Sequence, residues 1–252
     1  MADSGVPSMF RSTRAIFARE VGAIFDSKIA YVYAIAFALL ANSIFMNEFF
    51  LVGLADMTPF FETLPLLLCV FLPAVTMRSF AEESKTRTIE LLLTLPIRPL
   101  QAVLAKFGAA LVLYAVFLAC TLPIPFLLFR LGDPDAGRLL GGYLGAFGLG
   151  SVILALGLFV SALTSDQIVA FVLTSLVAFA LVLVGNERVA AILDGLAENF
   201  SAGTFLLERV SLLPPFEAFV RGILELSSVA YLGGATLLFL LGAAFHLERK
   251  RG

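Results

Sequence analysis

Apolar residues in this chain come in long unbroken runs, neither the strict alternation of a half-buried strand nor the narrow stripe of a surface helix. Six runs, at 28–46, 60–77, 103–129, 139–163, 168–184 and 229–247, have the length a helix needs to cross a bilayer. Pro65 and Pro73 fall inside the second run and are tolerable where neighbouring helices re-satisfy the freed carbonyls. Pro123 and Pro125 predict a kink in the outer part of the third. The fourth opens with Gly141, Gly142, Gly145, Gly148 and Gly150, a spacing that lets helices pack closely.

The polar punctuation completes the pattern. A short acidic loop holds Glu48 and Asp56, a turn-rich loop runs from Arg130 to Arg138, and Thr164, Ser165, Asp166 and Gln167 form a tight turn. Ahead of the first span, Phe10, Phe17, Val21 and Ile24 share one helical face with Arg11 and Arg19 on the other, which predicts an amphipathic elbow helix over 9–27 in the membrane surface. Residues 185–228 are too mixed to cross a bilayer and too apolar for a disordered loop. There Phe205, Leu206, Leu212, Leu213, Phe216 and Phe219 alternate with Glu208, Arg209, Glu217 and Arg221, predicting one or two short helices at the outer face. The fold class is an all-α integral membrane protein, one transmembrane domain over 1–252.

Composition agrees: 60% hydrophobic, 14% charged, mean hydropathy +0.99. A net charge of -2 makes no case for nucleic acid. Cys69 and Cys120 sit in apolar runs as small hydrophobes, with no disulfide or metal assigned. His246 is the single histidine, so no histidine-based metal or triad site can be assembled. The basic, polar lead before the first span is unlike a cleavable signal peptide. With the N-terminus inside, twelve Lys and Arg face inside and Arg130, Arg138, Arg188, Arg209 and Arg221 face outside, which favours both termini in the cytoplasm. No phosphate-binding loop, zinc-protease motif or nucleophile elbow is present. The spans hold almost no ionisable groups away from their ends, where an ion-coupled carrier normally places them.

One charged interruption stands apart, at 76–107. Ser79 and Glu82 have capping-box spacing, and Glu83 precedes Arg87 by four residues, the favourable order for a helical ion pair. Thr88, Ile89, Glu90, Leu91, Leu92, Leu93, Thr94 and Leu95 then set leucines behind one carboxylate. Pro96 and Pro99 keep that helix short. Leucines beside charges in a loop seek a partner protein.

These residues carry a resemblance. The FAEE of Phe80 to Glu83, the TIELLLTLP of Thr88 to Pro96 and the later Lys106 resemble the first cytoplasmic loop of ABC-2 type permeases, closest to the branch with gliding-motility-associated (GldF-like) and nitrous-oxide-maturation (NosY-like) subunits. The stretches at 163–170 and 214–222 are similar to that branch as well. Arg87 departs from it, standing where members often carry Gly, so the shape of the turn before the helix stays open.

The resemblance implies a permease subunit of an ATP-binding cassette exporter in the bacterial cytoplasmic (inner) membrane. It has no ATPase activity and no cofactor of its own; ATP and Mg are bound by a partner ATPase. The cytosolic ATPase subunit would dock on a coupling loop at 79–98, through Glu82, Glu83, Arg87, Thr88, Glu90, Leu91, Leu92, Leu95 and Pro96. A second or related permease copy, a periplasmic or membrane auxiliary protein and membrane lipid are the other partners implied. Phe216, Phe219 and Arg221 are candidates for an external gate. An ion-coupled secondary transporter and a membrane scaffold without transport remain the alternatives.

Overall fold

A computed structural model describes residues 9–52, 56–88, 98–132, 134–196 and 201–251. The described elements are all helices: α1 (Met9–Asp26), α2 (Lys28–Val52), α3 (Thr58–Thr76), α4 (Ala81–Lys85), α5 (Pro99–Ala119), α6 (Pro123–Leu131), α7 (Ala136–Leu163), α8 (Gln167–Leu183), α9 (Glu187–Leu196), α10 (Ala202–Arg209), α11 (Leu213–Val220) and α12 (Leu226–Arg251). Five stretches are long and apolar enough to cross a membrane: Lys28–Asn47, Thr58–Lys85, Pro99–Leu131, Ala136–Leu163 and Leu226–Lys250. Helix α8, at 17 residues, is about 25 Å long. It becomes a sixth span if counted with α9, which bends away from it by 89°.

Helix α7 is the axis. It packs against α3, α5, α8, α11 and α12, and its small residues are what allow this. A Cβ on Gly142 would enter the Phe61 ring, one on Gly150 the Tyr114 ring, and one on Gly157 the Thr76 side chain. Tyr114 is fully buried, and its hydroxyl donates to the Ala146 carbonyl at 2.6 Å, satisfying the one polar atom that such close packing removes from water. The lipid-sized apolar exterior is carried by α2, α8 and α12, where Val32, Ile35, Leu39, Ile168, Leu176 and Leu238 are exposed.

The expected kink in the third span is a break. Helix α5 stops at Ala119, a turn follows, and α6 starts at Pro123. Prolines lack the N–H that would continue the ladder, and neighbours take over the freed groups. Asn42 Nδ2 of α2 donates to the Cys120 carbonyl at 3.3 Å, and Tyr143 of α7 donates to the Thr121 carbonyl at 3.3 Å and lies 3.0 Å from its hydroxyl. Other boundaries move modestly. Helix α2 continues past the expected end at 46 to Val52, and the segment at 185–228 contains three short helices among the described residues where one or two were expected.

The two ends of the bundle differ in what gathers there. At one end Asp56, Met57 and Thr58, then Pro134, Asp135 and Arg138, surround a small cavity beside Val220 of α11. At the other end lie α1, α4 and the turn before α8, where Lys85 faces Asp166. Lys250 Nζ reaches the Ala162 carbonyl there at 3.1 Å, so α1 and the end of α12 share this end with α4.

Candidate functional site at the α4 end

Helix α4 is barely more than one turn, too short to stand on its own, so its neighbours must hold it. The expected capping box of Ser79 and Glu82 does not form: Phe80 occupies the cap position, and no side chain of the segment itself caps the helix. The cap comes instead from α7. Ser161 Oγ, fully buried, accepts the backbone N–H groups of Phe80 and Ala81, both at 3.0 Å, and donates to the Met77 carbonyl at 3.2 Å. One hydroxyl thereby uses its single hydrogen and both lone pairs on one turn of chain.

The expected ion pair of Glu83 with Arg87 does not form either. Helix α4 ends at Lys85, the Thr86 hydroxyl bonds back to the Glu82 carbonyl at 2.9 Å, and Arg87 adopts a left-handed φ of 58°. No helical face therefore joins positions 83 and 87. A left-handed residue is where glycine is accommodated without a Cβ penalty, and Arg87 keeps that turn at a cost of about 1 kcal/mol.

Glu83 turns inward to Lys106. The Lys106 ammonium, with its side chain only 4% exposed, lies 2.8 Å from Glu83 Oε1 and 3.2 Å from Glu20 Oε2, and 5.2 Å from the centre of the Phe80 ring. A cation this deep is stable only with such partners. They come from three places: Glu20 from α1, Glu83 from α4, and Phe80 from the turn between α3 and α4. Glu20 also meets the exposed Arg19 at 2.9 Å. Phe17 of α1 lies against Gly108, two residues along α5, so the expected elbow helix is fastened to α5 by apolar and ionic contacts together.

The same end is closed by Asp166, whose carboxylate caps α8 by accepting the N–H groups of Ile168 and Val169 at 2.8 and 3.2 Å. The Val169 and Ile168 bonds, helped by the charge on Lys85 of α4, hold its carboxyl below the usual carboxylate range.

Of the residues predicted for coupling, Glu83 is in the node, while Glu82, Arg87 and Thr88 are exposed beside it. Glu90, Leu91, Leu92, Leu95 and Pro96 lie outside the described residues. Ser161 and Glu20 escaped the sequence reading. Ser161 looks like one more small residue in an apolar run. A usable signal was Lys106 itself, a cation well inside an apolar helix that demands counter-charges from elsewhere.

At the opposite end, Phe216 and Phe219 are buried on α7 and face its glycines. A Cβ on Gly145 would lie 2.6 Å from Phe219 Cβ and 3.3 Å from Phe216 Cδ2, and one on Gly141 would strike the Phe219 carbonyl. Arg221 stays exposed and pairs with Glu217 at 3.1 Å.

Among the described residues no group of three His, Cys, Asp or Glu is placed to hold a metal ion. What the α4 end offers is mechanical: one short helix bonded to α5 and α7, and through Lys106 of α5 to α1. The family model described as ABC-2 family transporter protein matches residues 9–246. No curated protein matches the chain.

Proposed function

We propose that this chain, which belongs to the ABC-2 family of transporter proteins, is the permease subunit of an exporter whose energy comes from a separate cytosolic ATPase. The ATPase binds ATP and Mg and docks on the loop that leaves α4, with Leu91, Leu92 and Leu95 buried in a groove and Glu90 facing a cationic or hydrogen-bonding group. Within the family, the likeness of the FAEE and TIELLLTLP stretches supports the gliding-motility and nitrous-oxide-maturation branch. A second permease copy completes the pathway. The charge asymmetry puts α1, α4 and the end of α12 on the cytoplasmic side of the inner membrane.

The observation that carries this reading is the Lys106 node. A push on the loop reaches α4, and α4 cannot move without taking Glu83, Lys106 and Glu20 along, or without dragging α7 through Ser161. The loop is therefore geared to three helices rather than tethered to one. Packed elements joined this way shift together between discrete arrangements. The ionisable groups of the node sit at the α4 end of the bundle, away from the middle of the spans, where an ion-coupled carrier would need them.

Co-purification with the ATPase in detergent tests the docking. Glu90→Lys is expected to leave insertion unchanged and to abolish association and ATP-driven transport together, because removing one partner of a desolvated charge pair costs on the order of 2–5 kcal/mol. Undiminished association would move the docking site elsewhere, and association without any transport in the parent protein would favour a scaffold. A tag near Asp133 is expected to report the periplasmic side.

A further inference from the structure

Export needs part of the α11 end to move, and α11 itself is clamped. Phe216 and Phe219, the candidates for an external gate, lie so close to Gly141 and Gly145 that not even a Cβ fits between. Helix α6 is held differently. Only Ile124 and Leu128 of its nine residues are buried, against twelve of the 21 in α5, and Phe126, Phe129 and Leu131 are exposed. Apolar packing therefore fixes α5 far more firmly than α6.

The joint between α5 and α6 is Cys120, Thr121 and Leu122. Its backbone makes tight three-residue bonds: the N–H groups of Thr121, Leu122 and Ile124 donate to the carbonyls of Leu118, Ala119 and Thr121 at 3.0, 3.1 and 3.1 Å. Pro123 and Pro125 bring no N–H to carry a helical ladder across it. Short runs of such bonding often mark a hinge. Two side chains from other helices brace this one. Asn42 of α2 donates to the Cys120 carbonyl, and Tyr143 of α7 lies 3.3 Å from the Thr121 carbonyl and 3.0 Å from its hydroxyl. The buried Thr121 hydroxyl gives its one hydrogen to the Leu118 carbonyl at 2.7 Å, so Tyr143 is the donor to it.

We infer that α6 swings about residues 120–122 during transport, and that Tyr143 and Asn42 are positioning residues that latch it in the present arrangement. The use of the swing rests on the exporter reading; the latch does not. There is room for it. The cavity of about 200 Å³ at this end lies between Pro134 and Asp135, in the connection from α6 to α7, and Val220 of α11. A turn of α6 changes the width of that cavity while α11 stays on its glycines. Because the latch consists of two side-chain donors, it is undone and remade without repacking α5 or α7, as a hinge of a few element-terminal residues requires.

The first arm of the test needs no ATPase. Amide hydrogen exchange of the purified full chain in lipid nanodiscs is compared between the parent, Tyr143→Phe and Asn42→Ala. Each variant removes one donor and is expected to speed exchange in α6, from Phe126 to Leu131, roughly fivefold, with α5 at parental rates. Tyr143→Phe keeps its ring against Phe61, so it decides alone if Asn42→Ala does not insert. Parental α6 exchange in Tyr143→Phe, or a rise shared equally by α5, would overturn the latch. The second arm uses the complex with the proposed ATPase. Spin labels at Phe129 of α6 and Leu176 of α8, both exposed, are expected to change their distance between the nucleotide-free and ATP-trapped states, whereas labels at Arg221 and Leu176 keep theirs. A fixed α6 distance, or a shift at Arg221 as large as that at Phe129, would overturn the swing. Failure of the complex to form counts against the docking proposal alone, and the exchange arm then decides.

Discussion

At the α4 end, Lys106 and Ser161 hold four elements through five hydrogen-bonding or ionic contacts. At the α11 end, Phe216 and Phe219 lie on the bare backbone of Gly141 and Gly145. Directional bonds break when atoms are removed; close apolar packing breaks when atoms are added. The first kind of joint keeps a defined geometry while its elements move, which suits an input of force. The second kind clamps a short helix to a rigid axis.

The largest expected effect is at Lys106. Lys106→Met leaves Glu83 without its cation and Glu20 with only the exposed Arg19, and is expected to cost about 3 kcal/mol, the low end for breaking a buried pair, because both carboxylates are partly exposed. Thermal unfolding in detergent measures it, and the loss should be much smaller for Lys106→Met combined with Glu83→Gln. Ser161→Ala comes next, at about 2 kcal/mol, since it orphans the Phe80 and Ala81 N–H groups in a buried place. Hydrogen exchange at those two amides should quicken selectively. A Ser161→Ala protein with parental exchange there would show that α4 is held by something other than α7.

The converse experiment is at the other end. Gly145→Ala adds one methyl that meets Phe219 at 2.6 Å and is expected to cost about 1–2 kcal/mol by overpacking, loosening α11 while leaving α4 unchanged. Proteolysis of the 185–228 segment reads the first and Phe80 exchange the second. The smallest effect is at Asp166. Its carboxyl is held below the ordinary carboxylate range by the Val169 and Ile168 N–H groups, so its cap on α8 is intact above that range and is lost as pH falls through the lowered value. Exchange at Ile168 and Val169 should therefore rise only in acid, below about pH 4, and Asp166→Asn, which cannot titrate, should abolish that rise.

Long apolar runs pointed to the long helices because bilayer length is written directly into composition, and the glycine spacing at 141–150 foretold close packing, though not against which side chains. The node was harder to read. Ser79 and Glu82 have the spacing of a cap, yet Ser161, some 80 residues away, does the capping, and local spacing has no means of seeing an acceptor from another helix. Glu83 and Arg87 have the spacing of an ion pair, but that rule assumes a continuous helix, and α4 ends two residues too early. Arg87 in a left-handed turn explains how the chain departs from glycine at that position and still turns there.

The central claim is that α4 moves as one body with α1. Spin labels at Lys85 on α4 and Arg19 on α1, both exposed, give that distance by pulsed electron resonance in the complex with the proposed ATPase, without nucleotide and with ATP trapped. One narrow distribution, unchanged between the two states in the parent and broadened by Lys106→Met, is the predicted result. A distance that shifts with nucleotide in the parent, or that Lys106→Met leaves as narrow as before, would contradict the account.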